Sequence, residues 1–591
     1  MENGGEGGTG GVVKKPRGCY SCRKTDFLPE ESFQSWANYG RALRETGKRL
    51  GDRITARSLD RTELNEVRAR SGHEMRRNLS WWDLMWFGVS CVVGAGIFVL
   101  TGQEAHDAAG PAVMLSYVVS GVAAMLSVLC YTEFAVEIPV AGGSFAYLRV
   151  ELGDFIAFIA AGNILLEYIV SCAAVARAWT SYFATLLNHH PDDFRIHIPA
   201  LSPDYNRLDP IAVAVTATVG LAAILSTKAA SRFNYVACII HLTLVVFIVI
   251  AGLSKADPKN LSDFAPFGVR GVFSASAVLF FAYVGFDAVS TMAEETKNLA
   301  RDIPLGLIGA MTITTICYCL LALTLCLMQH YSRIDVDAAF SVAFQAVGMN
   351  WAKYVVAFGA LKSMTTSLLV LAVGQARYLT HIARTHMAPP CLAHVNASTA
   401  TPINATVVML AATAVIALFT NLSILSNLIS ISTLFIFMLV AVALLVRRYY
   451  VGGQTSTADR NKLVICIVLI LGSSIGIAAY WAAGGEGWVG YAVSVPIWLS
   501  TTAYLWLRVP QARTPKLWGV PMMPWLPSAS IAIDVFLLGS IDRASFVRFG
   551  VWTTVLLVYY FFIGLHASYD TAKASTSGES PVQVAEDGDG F

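Results

Sequence analysis

Charge is what this sequence has least of. Asp, Glu, Lys and Arg make up 14% of its 591 residues against 55% hydrophobic residues, which argues for a polytopic membrane protein rather than an ordinary soluble domain. The net charge of +2 excludes nothing by itself, and a nucleic-acid role is the weaker reading of the basic residues before about position 80. Its eleven cysteines are scattered, most of them inside apolar runs, which argues against a disulfide framework. Cys19 and Cys22 form a lone CxxC with no second ligand pair, and such a pair fits reduced thiols or a lipidation site better than zinc. Also missing are a Walker loop, a zincin helix and a nucleophile elbow. No ATP-driven step, enzymatic step, cofactor or metal centre is indicated. The polar, glycine-rich start has no cleavable signal pattern.

Long apolar segments are abundant. They recur at about 82–102, 112–138, 155–186, 209–226, 233–253, 271–292, 303–328, 352–380, 403–420, 424–446, 463–482, 488–507, 527–541 and 547–566, giving about fourteen membrane spans. Lys228 and Arg232, Lys297 and Arg301, Arg377 and Arg384, Arg447 and Arg448, and Arg508, Arg513 and Lys516 fall in alternate connectors, so both termini are expected in the cytosol. The expected organisation is a basic cytoplasmic leader over 1–80, a core over 81–450, peripheral helices over 451–567 and a disordered tail over 568–591. Apolar spacing around Phe33 to Leu50 suggests one or two short surface helices in the leader. The Pro-rich connectors 388–405 and 509–527 read as hairpins or gating loops, and Asn260-Leu-Ser as a glycosylation acceptor in a short outer loop.

Two spans carry glycines where a helix needs them least. Gly94 and Gly96 sit near the middle of the first span, each at a cost of ~1 kcal/mol relative to alanine. Taken alone, the pair also suits close helix packing. The sixth span repeats the anomaly, with Gly285 followed by Asp287, a residue suited to start a new helix. Five spans separate the two breaks, so the segments run in opposite directions, the geometry of an inverted repeat. Free amides at Gly94, Ala95 and Gly96 would suit a carboxylate, and carbonyls near Phe281, Ala282 and Val284 an ammonium group. A molecule carrying both is an α-amino acid. Tyr283 and Phe286 are candidate occluding aromatics.

The motifs Val93-Gly-Ala-Gly-Ile-Phe-Val-Leu-Thr-Gly102, Tyr131-Thr-Glu-Phe-Ala135, Pro139-Val-Ala-Gly-Gly-Ser-Phe-Ala-Tyr147, Phe281-Ala-Tyr-Val-Gly-Phe-Asp-Ala-Val-Ser290, Ala293-Glu-Glu-Thr-Lys-Asn298 and Gly374-Gln-Ala-Arg377 resemble the cationic amino acid transporter family of the amino acid, polyamine and organocation superfamily. The resemblance spans about residues 75–570, and the leader is similar to those of plant members. It implies an all-α, LeuT-like 5+5 inverted repeat with four additional C-terminal helices. It further implies alternating-access import of arginine, lysine or ornithine, helped by a proton or the membrane potential. Neutral amino acids, polyamines or a sensor role remain the alternatives. It places the protein in the plasma membrane, with the vacuolar membrane as alternative, as a monomer or homodimer.

Charges inside spans complete the candidate site. Glu167 lies mid-span, where an ionised side chain costs ~2.5 kcal/mol or more, so it should face the bundle interior. A buried hydrogen bond would suffice to explain it. The resemblance makes it the acid that senses a cationic substrate or carries a proton. His241 stands where bacterial relatives have lysine, near the sodium position of sodium-coupled cousins, and is the second candidate for proton coupling. A packing role is its plainer reading. Thr365, Thr366 and Ser367 are weaker candidates for lining the site. Lys362 and Arg177 should snorkel or pair within the bundle, and Glu133 should cap or gate. Glu294, Glu295, Lys297, Arg301 and Asp302 form a cluster suited to inner-gate ion pairs.

Overall fold

The computed structural model describes residues 27–55, 79–94, 96–138, 143–202, 204–225, 227–290, 292–396, 401–484 and 487–577. Apart from one short antiparallel strand pair, β1 (Ile196–His197) and β2 (Arg207–Leu208), its regular structure is helical. In chain order the helices are α1 (Trp36–Arg44), α2 (Thr46–Thr55), α3 (Trp81–Val92), α4 (Gly96–Glu104), α5 (Val113–Glu137), α6 (Gly143–Leu152) and α7 (Asp154–Leu186). There follow α8 (Pro210–Leu225), α9 (Thr227–Leu253), α10 (Gly268–Leu279), α11 (Asp287–Ser290), α12 (Leu299–Met328), α13 (Ala339–Ala346) and α14 (Asn350–Arg384). The rest are α15 (Ile403–Phe419), α16 (Leu422–Tyr449), α17 (Thr457–Ala482), α18 (Val489–Arg508), α19 (Trp525–Leu538), α20 (Arg543–Tyr559) and α21 (Leu565–Ser577).

A helix or a broken pair occupies each apolar segment, and among the described residues 7 helical stretches are long and apolar enough to cross a membrane by themselves. The chain is thus a multi-pass, all-α membrane protein. Burial separates its layers: the apolar window of Leu422–Tyr449 is 83% buried, that of Arg543–Lys573 6%, so α16 is central and α20 peripheral. The first break is paired with the second by contact. Helix α3 packs on α12 and α10 on α5; α7 packs on α16 and α9 on α14; α5 meets α12, α7 meets α14, and α8 meets α15.

Local signals explain the ends that matter. Ser80 and Asp83 form a capping box that starts α3, with Asp83 Oδ2 accepting from the Ser80 amide at 2.9 Å and hydroxyl at 2.7 Å. Helix α10 tightens into a 3-10 turn over Phe280–Tyr283 before the chain breaks at Val284 to Phe286. Gly285 has φ +117°, a conformation that only glycine adopts cheaply.

The leader is docked. Arg49 pairs with Asp570 at 3.2 Å and bonds Ser32 Oγ at 3.0 Å, while the Ser32 amide donates to Asp570 at 2.8 Å. Arg53 pairs with Asp154 at the start of α7, and Glu30 lies 2.6 Å from His386 beyond the end of α14. This corrects the expected boundary of the disordered tail: α21 runs on to Ser577 because Asp570 is held by the leader.

The connectors that follow α5, α6 and α16 are pinned as well. Arg448 Nη2 donates to Glu133 Oε2 at 2.8 Å, Arg447 and Arg513 both reach Glu151, and the Val520 amide donates to Glu133. The ion pairs expected from the Glu295, Lys297, Arg301 and Asp302 group do not form among the described residues; Asp302 accepts instead from the Asn298 amide at 3.1 Å, closing the first turn of α12. The Glu294 side chain, Cys19 and Cys22 lie outside the described residues. In the connector between α7 and α8, Arg195 joins Asp192, Asp209 and Asp337, and Arg177 of α7 donates to the carbonyls of Ala417 and Arg207. Burial works against the Arg195 charge, but the Asp337 and Asp209 carboxylates outweigh it and hold its pKa above the usual value. The Asn260 carboxamide donates to Leu327 O at 2.9 Å and is thereby engaged in the fold.

Candidate functional site

The two breaks meet. A Cβ on Gly96 would stand 3.0 Å from Ala282 Cα, and one on Gly285 would stand 2.7 Å from the Cys91 carbonyl oxygen. Each glycine therefore lets the other broken helix approach to backbone contact. Tyr318 on α12 sits over the junction, its hydroxyl 2.8 Å from Val92 O and 2.9 Å from Ala282 O. With one proton to give, it serves one carbonyl at a time.

The backbone groups expected to bind an amino acid are unequally engaged. The Gly94 amide donates to Val92 O at 2.8 Å, so it closes a turn. Ala95 lies outside the described residues. Gly96 opens α4, and first-turn amides have no intrahelical acceptor. Across the junction, Phe281 O accepts from the Val284 amide at 3.1 Å and Ala282 O from Tyr318. A Cβ on Gly94 would stand 3.1 Å from Ser367 Oγ, which brings α14 to the first break. Thr365 accepts from Trp179 Nε1 at 3.0 Å, and Thr366 bonds back to Lys362 O.

An acidic pair stands beside the junction. Half-buried Glu167 on α7 lies near Thr433 of α16, whose hydroxyl bonds back to Ile429 O at 3.0 Å, and in the electrostatic field of Asp287, the first residue of α11. Tyr131, Tyr168 and Tyr378 feel both carboxylates, and the Tyr168 and Tyr378 rings lie 5.8 Å apart. Phe286 is fully buried between Tyr131 at 5.3 Å and Phe437 at 5.0 Å, forming an aromatic wall. Tyr283 is turned elsewhere: its hydroxyl donates to Tyr117 O on α5 at 2.8 Å.

His241 stands apart from this pair. It is 6% exposed, its ring lies 5.6 Å from that of Phe98 on α4, and neither nitrogen has a hydrogen-bond partner among the described residues. The charged group facing it is Lys362. Sequence reasoning noticed Asp287 only as a helix start and missed its proximity to Glu167. Tyr318 gave no signal, being one hydroxyl in a long apolar run.

The sequence matches the amino acid permease family model over residues 79–507 and the model for the C-terminal part of such permeases over 518–568. It is 68% identical to cationic amino acid transporter 1 of Arabidopsis thaliana over 98% of both chains. It is 58% identical to cationic amino acid transporter 5 of the same plant, over 94% of this chain and 98% of that one. Identity to the plant's vacuolar cationic amino acid transporter 8 is 52%, over 95% of both.

Proposed function

The chain belongs to the plant cationic amino acid transporters within the amino acid permease family, and from that footing we propose that it imports arginine, lysine or ornithine by alternating access. It transports and does not catalyse. The observation that carries the cationic reading is the juxtaposition of Glu167 and Asp287 beside the crossing of the two breaks. Two carboxylates at membrane depth suit a side chain that brings positive charge. The names of the relatives support the same substrate class.

In this reading Gly96 and Ala95 offer amides to the substrate carboxylate and Val284 a carbonyl to its amine, with Gly94 and Phe281 joining once their turns open. Ala282 O joins when the Tyr318 hydroxyl turns to donate to Val92 O. Phe286 closes the aromatic wall, Tyr283 braces it from α5, and His241 gates proton entry. A 5+5 inverted repeat with fourteen spans is supported by the matched packing pairs, α3 on α12 with α10 on α5, and α7 on α16 with α9 on α14. Helices α17 to α20 then form the scaffold outside the repeat. We place both termini in the cytosol and the protein in the plasma membrane.

Labelled arginine uptake into proteoliposomes, with pH gradient and voltage set independently and Glu167→Gln in parallel, tests the proposal. Uptake that follows the pH gradient at zero voltage and is lost in the variant is the expected result. Transport of alanine without arginine would overturn the cationic assignment, and uptake that follows voltage alone would remove the proton.

A further inference from the structure

A second polar constellation lies where α19 packs against α5 and α16. Asp534 is 0% exposed, Ser530 one turn before it is 0% exposed, and Ser127 facing them from α5 is 1% exposed. A buried acid inside a membrane protein demands a partner. Asp534 Oδ1 has none among the described residues.

The other oxygens are spaced in an unusual way. Ser127 Oγ lies 3.3 Å from Ser530 Oγ and 3.5 Å from Asp534 Oδ2, and Ser530 Oγ lies 3.4 Å from Asp534 Oδ2. These are the sides of a nearly equilateral triangle, and each is longer than the roughly 2.5–3.0 Å of an O–H···O hydrogen bond. Ser127 is also slack toward its own helix, 3.2 Å from Ala123 O, whereas Ser120 and Thr132 on the same helix bond back at 2.8 and 2.7 Å. Three oxygens gathered without hydrogen-bonding tightly, beside a carboxylate oxygen with no partner, describe a coordination shell.

We propose that Asp534, Ser530 and Ser127, with the Ala123 carbonyl beside them, hold a sodium-sized monovalent cation that fastens α19 to α5. A hard cation at about 2.4 Å from octahedral oxygens sets them about 3.4 Å apart, whereas magnesium at about 2.0–2.1 Å would draw them to roughly 2.9 Å. The single carboxylate balances a single positive charge. The donors are carboxylate, hydroxyl and carbonyl oxygens, which suit hard ions. The ion is a structural tie between the core and the peripheral helices, and it is not transported.

The test is the thermal unfolding midpoint of the full chain in detergent, in equal concentrations of sodium, potassium and choline chloride. The expected result is a midpoint higher in sodium than in choline by about 2 °C or more, with potassium weaker, and with the sodium effect gone in Asp534→Asn and reduced in Ser530→Ala. If Asp534→Asn fails to fold, Ser127→Ala carries the same comparison. Equal midpoints in the three salts overturn the proposal. A sodium effect that survives in these variants also overturns it by placing the ion elsewhere, and a midpoint that responds to pH but not to sodium makes Asp534 a neutral acid.

Discussion

Gly96 lies so close to Ala282 that a Cβ on the glycine would stand 3.0 Å from the Ala282 Cα and 3.3 Å from its Cβ. The obstruction is backbone, which cannot rotate away. Gly96→Val should abolish arginine uptake while protein still reaches the membrane, and Gly96→Ala should reduce it. Uptake normalised to membrane-inserted protein measures this, and wild-type rates for the valine variant would contradict it.

Tyr318→Phe removes the one side-chain donor shared by Val92 O and Ala282 O. A buried carbonyl left unpaired costs roughly 1–3 kcal/mol. The variant should transport about tenfold more slowly, each factor of ten being about 1.4 kcal/mol. Initial uptake rates decide the matter.

Glu133 is 1% exposed and faces the Arg448 guanidinium through both carboxylate oxygens, with contacts of 2.6 and 2.8 Å. Arg448→Ala strands a buried carboxylate and should lower stability by about 3–5 kcal/mol. Arg448→Lys should rescue only part of it, since a single ammonium cannot reproduce the fork. Thermal unfolding in detergent provides the measurement.

His241→Phe keeps a ring against Phe98 and removes the only titratable atoms of that side chain. Uptake should lose part of its dependence on external pH while the unfolding midpoint stays put. An unchanged pH profile would take His241 out of proton coupling.

Arg49→Ala should loosen the leader from α21, because Arg49 holds both Ser32 and Asp570. Limited proteolysis of the membrane-embedded chain should then cut the leader faster, with the spans still protected.

Some of the site was legible in the sequence because its signals are costly. Glycines at 94, 96 and 285 inside apolar runs and a carboxylate at 167 have no cheap explanation in a membrane, and the structure indeed breaks the helices where the glycines fall. What stayed hidden depends on distance along the chain. The Glu133 to Arg448 contact joins residues 315 positions apart, while the charges from Glu295 to Asp302 looked like partners only because they are neighbours in sequence. Helices α6 and α13 were missed because they are too short to stand out beside the spans. The tail boundary was misjudged because polar composition near Asp570 says nothing of the leader that receives it.

The pinned connector has a mechanical consequence. Glu133, Glu137 and Glu151 bind Arg447, Arg448, Arg513 and the amides of Lys516, Leu517 and Val520, so the C-terminal ends of α5, α6 and α16 form a stator with the segment leading to α19. We expect the motion of the proposed transport cycle to fall to α3 with α4 and α10 with α11, swinging about their glycines. Cross-links placed within the stator should leave the cycle running, and one joining α4 to the 3-10 turn at Ala282 should stall it.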